Sequence, residues 1–212
     1  MLDLEALLRV PCVEVEMGFD LSPDGGKAAF SWNPDGRWEI FEVSLNPGAQ
    51  PRPVSSGPGG KFHPRYSPDG RRLAYVVDLD GSENYHICIL DLASRHQVDM
   101  TPEAAGAIQA FFSWSPDGKN IAYISDRSGQ FDTYLMRVGR VLKPSGKDLH
   151  VLDAGHPAWK VRWSPDGSWL AVTVEAGGIE YGTFIVPALG SGEVSRIADE
   201  SGPIDAGQTR SS

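Results

Sequence analysis

The chain has 212 residues, of which 41% are apolar, and a formal net charge of −9 at pH 7. No apolar run reaches the roughly 18 residues that a membrane-spanning helix needs, so the sequence predicts no membrane partner. The acidic balance also argues against a nucleic-acid partner, because phosphate binding needs clustered Lys and Arg.

Residues 1–12 are the first predicted element, and helical spacing of their leucines predicts a short helix there. This segment is acidic and lacks the basic and then apolar pattern of a secretory signal. The two cysteines, Cys12 and Cys88, lie far apart and are predicted to be free thiols, which favours a reducing compartment. We therefore expect a cytoplasmic protein.

One tetrapeptide, Ser-Pro-Asp-Gly, recurs at intervals of 45 to 49 residues. Its four copies begin at Ser22, Ser67, Ser115 and Ser164. This period in a strand-rich chain is typical of a β-propeller, in which each repeat forms one four-stranded blade. Proline, aspartate and glycine each suit one position of a tight turn, and glycine takes the left-handed conformation. The tetrapeptide is therefore predicted to join the first and second strands of each blade.

The repeats divide the rest of the chain into blades. The predicted blades span residues 13–57, 58–104, 105–156 and 157–200. Residues 201–212 resemble the start of another first strand and end before a fifth tetrapeptide. We therefore predict an all-β fold, an incomplete β-propeller of four four-stranded blades plus the start of a fifth. Two other arrangements stay open: a complete four-bladed ring with a loose tail, and two chains that associate through open blade edges.

A bulky residue precedes each tetrapeptide, and we expect these residues to pack in the core rather than to stack on a ligand. They are Leu21, Tyr66, Trp114 and Trp163. No serine lies in the G-x-S-x-G pattern of a hydrolase nucleophile, and the five histidines share no local motif. The acidic loop 78–84 lacks the bidentate glutamate of an EF-hand calcium loop. No catalytic residue, metal site or cofactor is therefore predicted for this chain.

Loops on one face of a propeller are the remaining candidates for binding, since exposed loops often make functional contacts. The predicted contact residues are Asp78, Asp80, Glu83, Asp126, Arg127, Glu175 and Glu180. Their acidic side chains would attract the amino terminus of a peptide. The alternative is that they are solvated turn residues.

The whole repeat resembles the TolB-type propeller repeat: an aromatic residue before Ser-Pro-Asp-Gly, a strand with a small and an aromatic residue, D-x-x-G, and a strand such as Tyr85–Leu92. The same repeat forms the amino-terminal propeller of prolyl oligopeptidase-family serine peptidases, including acylaminoacyl peptidases. The resemblance implies a non-catalytic propeller that gates peptide access to a hydrolase domain absent from this chain. The alternative is a stand-alone TolB-like scaffold that binds a protein or small ligand. Whether the native protein is an enzyme stays open at this point.

Overall fold

The computed structural model describes most of the chain. The described residues are 13–14, 18–102, 106–144, 148–177, 180–188 and 195–197. The predicted helix in residues 1–12 and the predicted start of a fifth blade in residues 201–212 lie outside these ranges. Within the described ranges every regular element is a β-strand. None of the described residues form a helix long and apolar enough to cross a membrane.

The strands form four antiparallel sheets of four strands, in each of which every strand pairs with the next along the chain. The first two sheets contain β1 (Phe19–Leu21), β2 (Lys27–Trp32), β3 (Glu39–Ser44) and β4 (Arg52–Pro53), then β5 (Gly60–Tyr66), β6 (Arg72–Asp78), β7 (Tyr85–Asp91) and β8 (Gln97–Asp99). The other two contain β9 (Ile108–Trp114), β10 (Asn120–Ser125), β11 (Asp132–Arg137) and β12 (Leu149–Leu152), then β13 (Ala158–Trp163), β14 (Trp169–Gly177), β15 (Glu180–Pro187) and β16 (Ser195–Ile197). This confirms the predicted all-β fold with four four-stranded propeller blades.

The chain divides into two compact units of two blades each. The first unit comprises Met1–Pro102 with Leu142–Pro144, and the second comprises Glu103–Val141 with Ser145–Ser212. Each unit has its own apolar core, built mainly from the second and third strands of its blades. In β6 the run Leu73–Val77 is buried at every position, and Leu73, Tyr75 and Val77 belong to the core of the first unit. Cys88 in β7 is a buried free thiol, as predicted, and burial raises its pKa to about 12.

The Ser-Pro-Asp-Gly turns are closed by their own side chains. In the second copy, the Ser67 hydroxyl accepts the Arg72 N–H at 3.0 Å and donates to the Asp69 carboxylate at 2.7 Å. The Gly70 N–H reaches the Ser67 carbonyl at 2.8 Å with a φ of 67° at the glycine, which only glycine adopts without strain. The serine and aspartate bonds recur at Ser22, Ser115 and Ser164. The serine hydrogen bond lowers the pKa of each aspartate in these turns.

We expect Ser67→Ala to lower the free energy of unfolding by about 1–3 kcal/mol, because it leaves the Arg72 N–H without its side-chain acceptor at a buried serine. Urea denaturation of the purified chain measures this loss. Ser56→Ala is the matched control, since Ser56 is an exposed serine of the same unit, and it is expected to change stability by less than about 0.5 kcal/mol. Equal losses in the two variants would show that the turn serine does not stabilise the hairpin.

Within each unit, a polar side chain of one blade binds the backbone of the next. The Asp20 carboxylate accepts the Tyr66 N–H at 2.7 Å in the first unit. The Ser113 hydroxyl accepts the Trp163 N–H at 3.5 Å in the second unit. Both acceptors lie two residues before a tetrapeptide, and both donors lie immediately before the next one. The equivalent positions before the second and fourth tetrapeptides are Arg65 and Arg162, so the short polar acceptor belongs to the first blade of each unit.

The bulky residues before the tetrapeptides follow the core prediction except at the first copy. Tyr66 and Trp114 are buried, and Trp163 packs against the core of the second unit while partly buried. The Tyr66 hydroxyl donates to Glu42 of the preceding blade at 3.0 Å. Leu21 is 48% exposed, and here the prediction was wrong. Tyr66 of the second blade is covered by the first blade, whereas among the described residues no sheet covers Leu21 in the same way.

Candidate functional site

The acidic residues predicted in the loop between β6 and β7 mostly bind their own loop. The Asp78 carboxylate accepts the N–H groups of Asp80 at 3.3 Å, Gly81 at 2.8 Å and Glu83 at 3.3 Å. Asp80 in turn accepts the Ser82 N–H at 3.1 Å, and the Ser82 side chain lowers the pKa of Asp80. Glu83 has a φ of 61°. The carboxylates of Asp78 and Asp80 thus shape this turn, and their role in binding a peptide amino terminus stays a prediction.

Arg127, in the loop between β10 and β11, lies in an aromatic and acidic cluster of the second unit. Its guanidinium carbon is 4.4 Å from the centroid of the Tyr134 ring, and the guanidinium donates to the Tyr123 hydroxyl. The Tyr123 hydroxyl donates to Asp148 at 2.5 Å, and Arg127 also contacts Asp148 at 3.5 Å. Arg127 therefore joins this loop to the residue just before β12, and most of its side chain is covered.

The other predicted contact residues of the second unit lie near strand ends. The Asp126 carboxylate occupies the space beside Gly106 where the Cβ of any larger residue would stand. Glu175 in β14 is exposed and pairs with Tyr181 across the hairpin, and Glu180 is the first residue of β15. Within each unit these residues surround the turn between the second and third strands of a blade. They form no cluster of three metal-ligating side chains among the described residues.

Ser128, Asp132 and His150 come together in the third blade but do not form a catalytic triad. The Asp132 carboxylate accepts both the Ser128 hydroxyl at 2.5 Å and the His150 Nε2 at 3.0 Å. In a triad the histidine lies between serine and acid, so that it removes the serine proton. Here the acid lies between the other two, and nothing in this contact makes Ser128 nucleophilic. The sequence-based prediction named no catalytic residue, and this cluster gives no reason to add one.

A surface that the sequence analysis missed lies on the first strands of the third and fourth blades. We name it the aromatic–basic patch, and it consists of Phe111, Trp159, Lys160 and Arg162. The Trp159 ring lies 6.2 Å from the Phe111 ring, and the Lys160 Nζ lies 4.8 Å from the centroid of the Phe111 ring. Trp159 is 40% exposed, and Lys160 and Arg162 are also exposed. The patch therefore presents an aromatic surface next to two cations.

A β-bulge creates this arrangement. Ala158 pairs with Val174 and Lys160 with Thr173, so Trp159 is the extra residue in β13. A bulge re-aims side chains because two residues of one strand oppose a single residue of its partner. In the structure, Trp159 and Lys160 are two consecutive exposed residues between buried Ala158 and Val161, which breaks the alternation of a regular strand. The sequence itself alternates apolar and polar residues from Trp159 to Trp163, so it gives no sign of this break.

Four hairpin-built antiparallel sheets with a repeated turn tetrapeptide define a β-propeller module. The model of the TolB β-propeller domain family matches residues 12–151, about two thirds of the chain, and the chain belongs to this family. No curated protein matches the sequence.

Solved structures agree with this assignment. The structure of TolB from Acinetobacter baumannii is 25% identical, with a TM-score of 0.68, over 84% of this chain and 42% of that one. A candidate TolB from Agrobacterium tumefaciens is 22% identical, with a TM-score of 0.68, over 83% of this chain and 62% of that one. A prolyl endopeptidase structure is 15% identical, with a TM-score of 0.66, over 89% of this chain and 30% of that one. The chain thus spans between 42% and 62% of the two TolB-type structures, and the peptidase likeness shows the fold alone.

Proposed function

We propose that this chain is a non-catalytic propeller module that gates peptide access to a serine-hydrolase domain of the prolyl oligopeptidase type. The resemblance of its repeat to the amino-terminal propellers of those peptidases carries the proposal. The structural chemistry is compatible with a module that binds rather than reacts: each tetrapeptide serine is hydrogen-bonded within its turn, and Ser128 donates to an acid and not to a histidine.

A second candidate, a stand-alone scaffold that binds a protein, is supported by a different observation. TolB from Acinetobacter baumannii, at 25% identity, is more similar in sequence than the prolyl endopeptidase structure at 15%. Both candidates assign the chain a binding role, and they differ in whether a hydrolase is attached. That difference decides the experiment.

We expect the product of the complete native reading frame to react covalently with a fluorophosphonate probe, which labels activated serines. A short peptide is expected to be hydrolysed, whereas an unfolded protein is excluded by the propeller. The present chain by itself is the matched control and is expected to remain unlabelled. If the complete product is neither labelled nor able to hydrolyse the peptide, the peptidase proposal is overturned and the scaffold proposal remains. Labelling of the present chain would contradict both candidates.

A further inference from the structure

The aromatic–basic patch has charges that no carboxylate among the described residues neutralises. Several other basic residues are bound to a carboxylate: Lys27, Arg37, Arg52, Lys61, Lys119 and Arg127. Lys160 and Arg162 have no carboxylate partner among the described residues. They lie two positions apart in β13 and therefore point to the same side of the strand. Two unpaired cations on one side of a strand, in a chain of net charge −9, form a local site of positive potential.

The aromatic half of the patch adds apolar contact area beside these cations. A regular strand would alternate sides, so the bulge at Trp159 is what leaves both Trp159 and Lys160 exposed in succession. Large aromatic side chains that remain accessible are enriched where proteins bind other chains, because they bury much area at a low cost in side-chain entropy. Aromatic and cationic groups are therefore placed together by the backbone.

We propose that the aromatic–basic patch binds an extended peptide segment that presents carboxylates and an apolar side chain on the same face. The carboxylates pair with Lys160 and Arg162, and an apolar side chain packs against Trp159 and Phe111. Charge complementarity selects this occupant over a basic peptide, which the two cations repel. The site goes beyond the proposed function, since it applies whether the module gates a peptidase or serves as a scaffold.

The test uses fluorescence anisotropy with a fluorescein-labelled Glu-Ser-Phe-Ser-Glu peptide, whose glutamates and phenylalanine share one face when extended, and a counterpart with lysines in place of the glutamates. The wild-type chain is expected to bind the acidic peptide, with an affinity that falls as salt rises, and not the basic one. Lys160→Glu/Arg162→Glu is expected to weaken binding at least about tenfold. Trp159→Ala is expected to weaken it at least about threefold through lost packing.

The control is Lys119→Glu/Arg137→Glu, which makes the same change in net charge at exposed positions of the same unit. It is expected to alter the affinity for the acidic peptide less than about twofold, because charges away from the patch act on the peptide only at long range, where salt screens them. Circular dichroism checks that all variants remain folded. Equal weakening by the two double variants, equal binding of both peptides, or no binding of the acidic peptide by the wild type would each overturn the site. None of these readouts involves hydrolysis, so failure of the site and failure of the peptidase gate are separate results.

Discussion

Replacement of Lys61 with methionine is expected to lower the free energy of unfolding by about 3–5 kcal/mol, one of the largest effects of any single substitution in the chain. The Lys61 side chain is only 1% exposed, and its Nζ donates to the Glu39 carboxylate at 2.9 Å and to the Gly57 carbonyl at 2.5 Å. Since Lys61 begins the second blade and Glu39 lies in the first, this ion pair holds two blades of one unit together. Loss of the lysine leaves a nearly buried carboxylate that, within the described part of the chain, keeps only its hydrogen bond from Ser55.

Urea denaturation monitored by tryptophan fluorescence measures the effect. Lys27→Met is the control, because Lys27 also pairs with a buried glutamate but is itself 44% exposed, and we expect a loss below about 1 kcal/mol. The double variant Lys61→Met/Glu39→Gln is expected to recover part of the stability, since it no longer buries an unpaired charge. A loss in Lys61→Met no greater than in Lys27→Met would show that the buried pair does not join the blades energetically.

Gly59→Ala is expected to cost about 2–5 kcal/mol, because the new Cβ meets main chain that has no room to move. Gly59 has a φ of 77°, and an added Cβ would overlap the Asp78 carbonyl oxygen and lie 3.0 Å from the Leu79 Cα. A flexible side chain could move away from such a contact. The main chain at the end of β6 cannot move away, because Asp78 pairs with Gly60 there. The expected readout is a lower urea midpoint with an unchanged slope.

Gly57→Ala separates the two causes of this loss. Gly57 has a φ of 95°, and a Cβ there would have no heavy atom within 4 Å. Its cost therefore comes from the left-handed backbone alone, about 1–2 kcal/mol. The difference between the two variants measures the steric clash at Gly59. If they lose the same stability, the close approach of Gly59 to β6 has no energetic consequence.

The turns and blades could be predicted from the sequence because interactions between residues close together in the chain determine them. Every atom that closes the turn at Ser67 belongs to the six residues from Ser67 to Arg72, so the tetrapeptide predicts that turn wherever it occurs. The period between copies then predicts the blades, because one hairpin-linked sheet needs that many residues. Leu21 escaped the same reasoning. Its local sequence is that of a blade, but its burial depends on a neighbouring sheet and not on its own residues.

The candidate sites depended on contacts that spacing does not encode. Arg127 was predicted as a contact residue of an exposed loop, yet it lies over Tyr134, and its hydrogen-bond partner Tyr123 donates to Asp148, twenty-five positions along the chain. The acidic loop at Asp78 was recognised as a loop, but which of its carboxylates bind backbone amides follows from dihedral angles such as the positive φ of Glu83. The bulge at Trp159 shifts the register of one strand by a single residue, and a shift of that size changes which side chains are exposed.

The bonds from Asp20 to the Tyr66 amide and from Ser113 to the Trp163 amide have a consequence for how such chains evolve. The donor is the peptide group, which every amino acid except proline supplies, so this hydrogen bond does not itself depend on the side chain at the receiving position. Only a short polar residue two places before the tetrapeptide must be inherited. A duplicated gene segment encoding a blade with this polar residue carries both halves of the connection, and the new copy joins its neighbours without any compensating mutation at these two positions. Repeat number is therefore free to change by duplication while the sequences of the copies diverge.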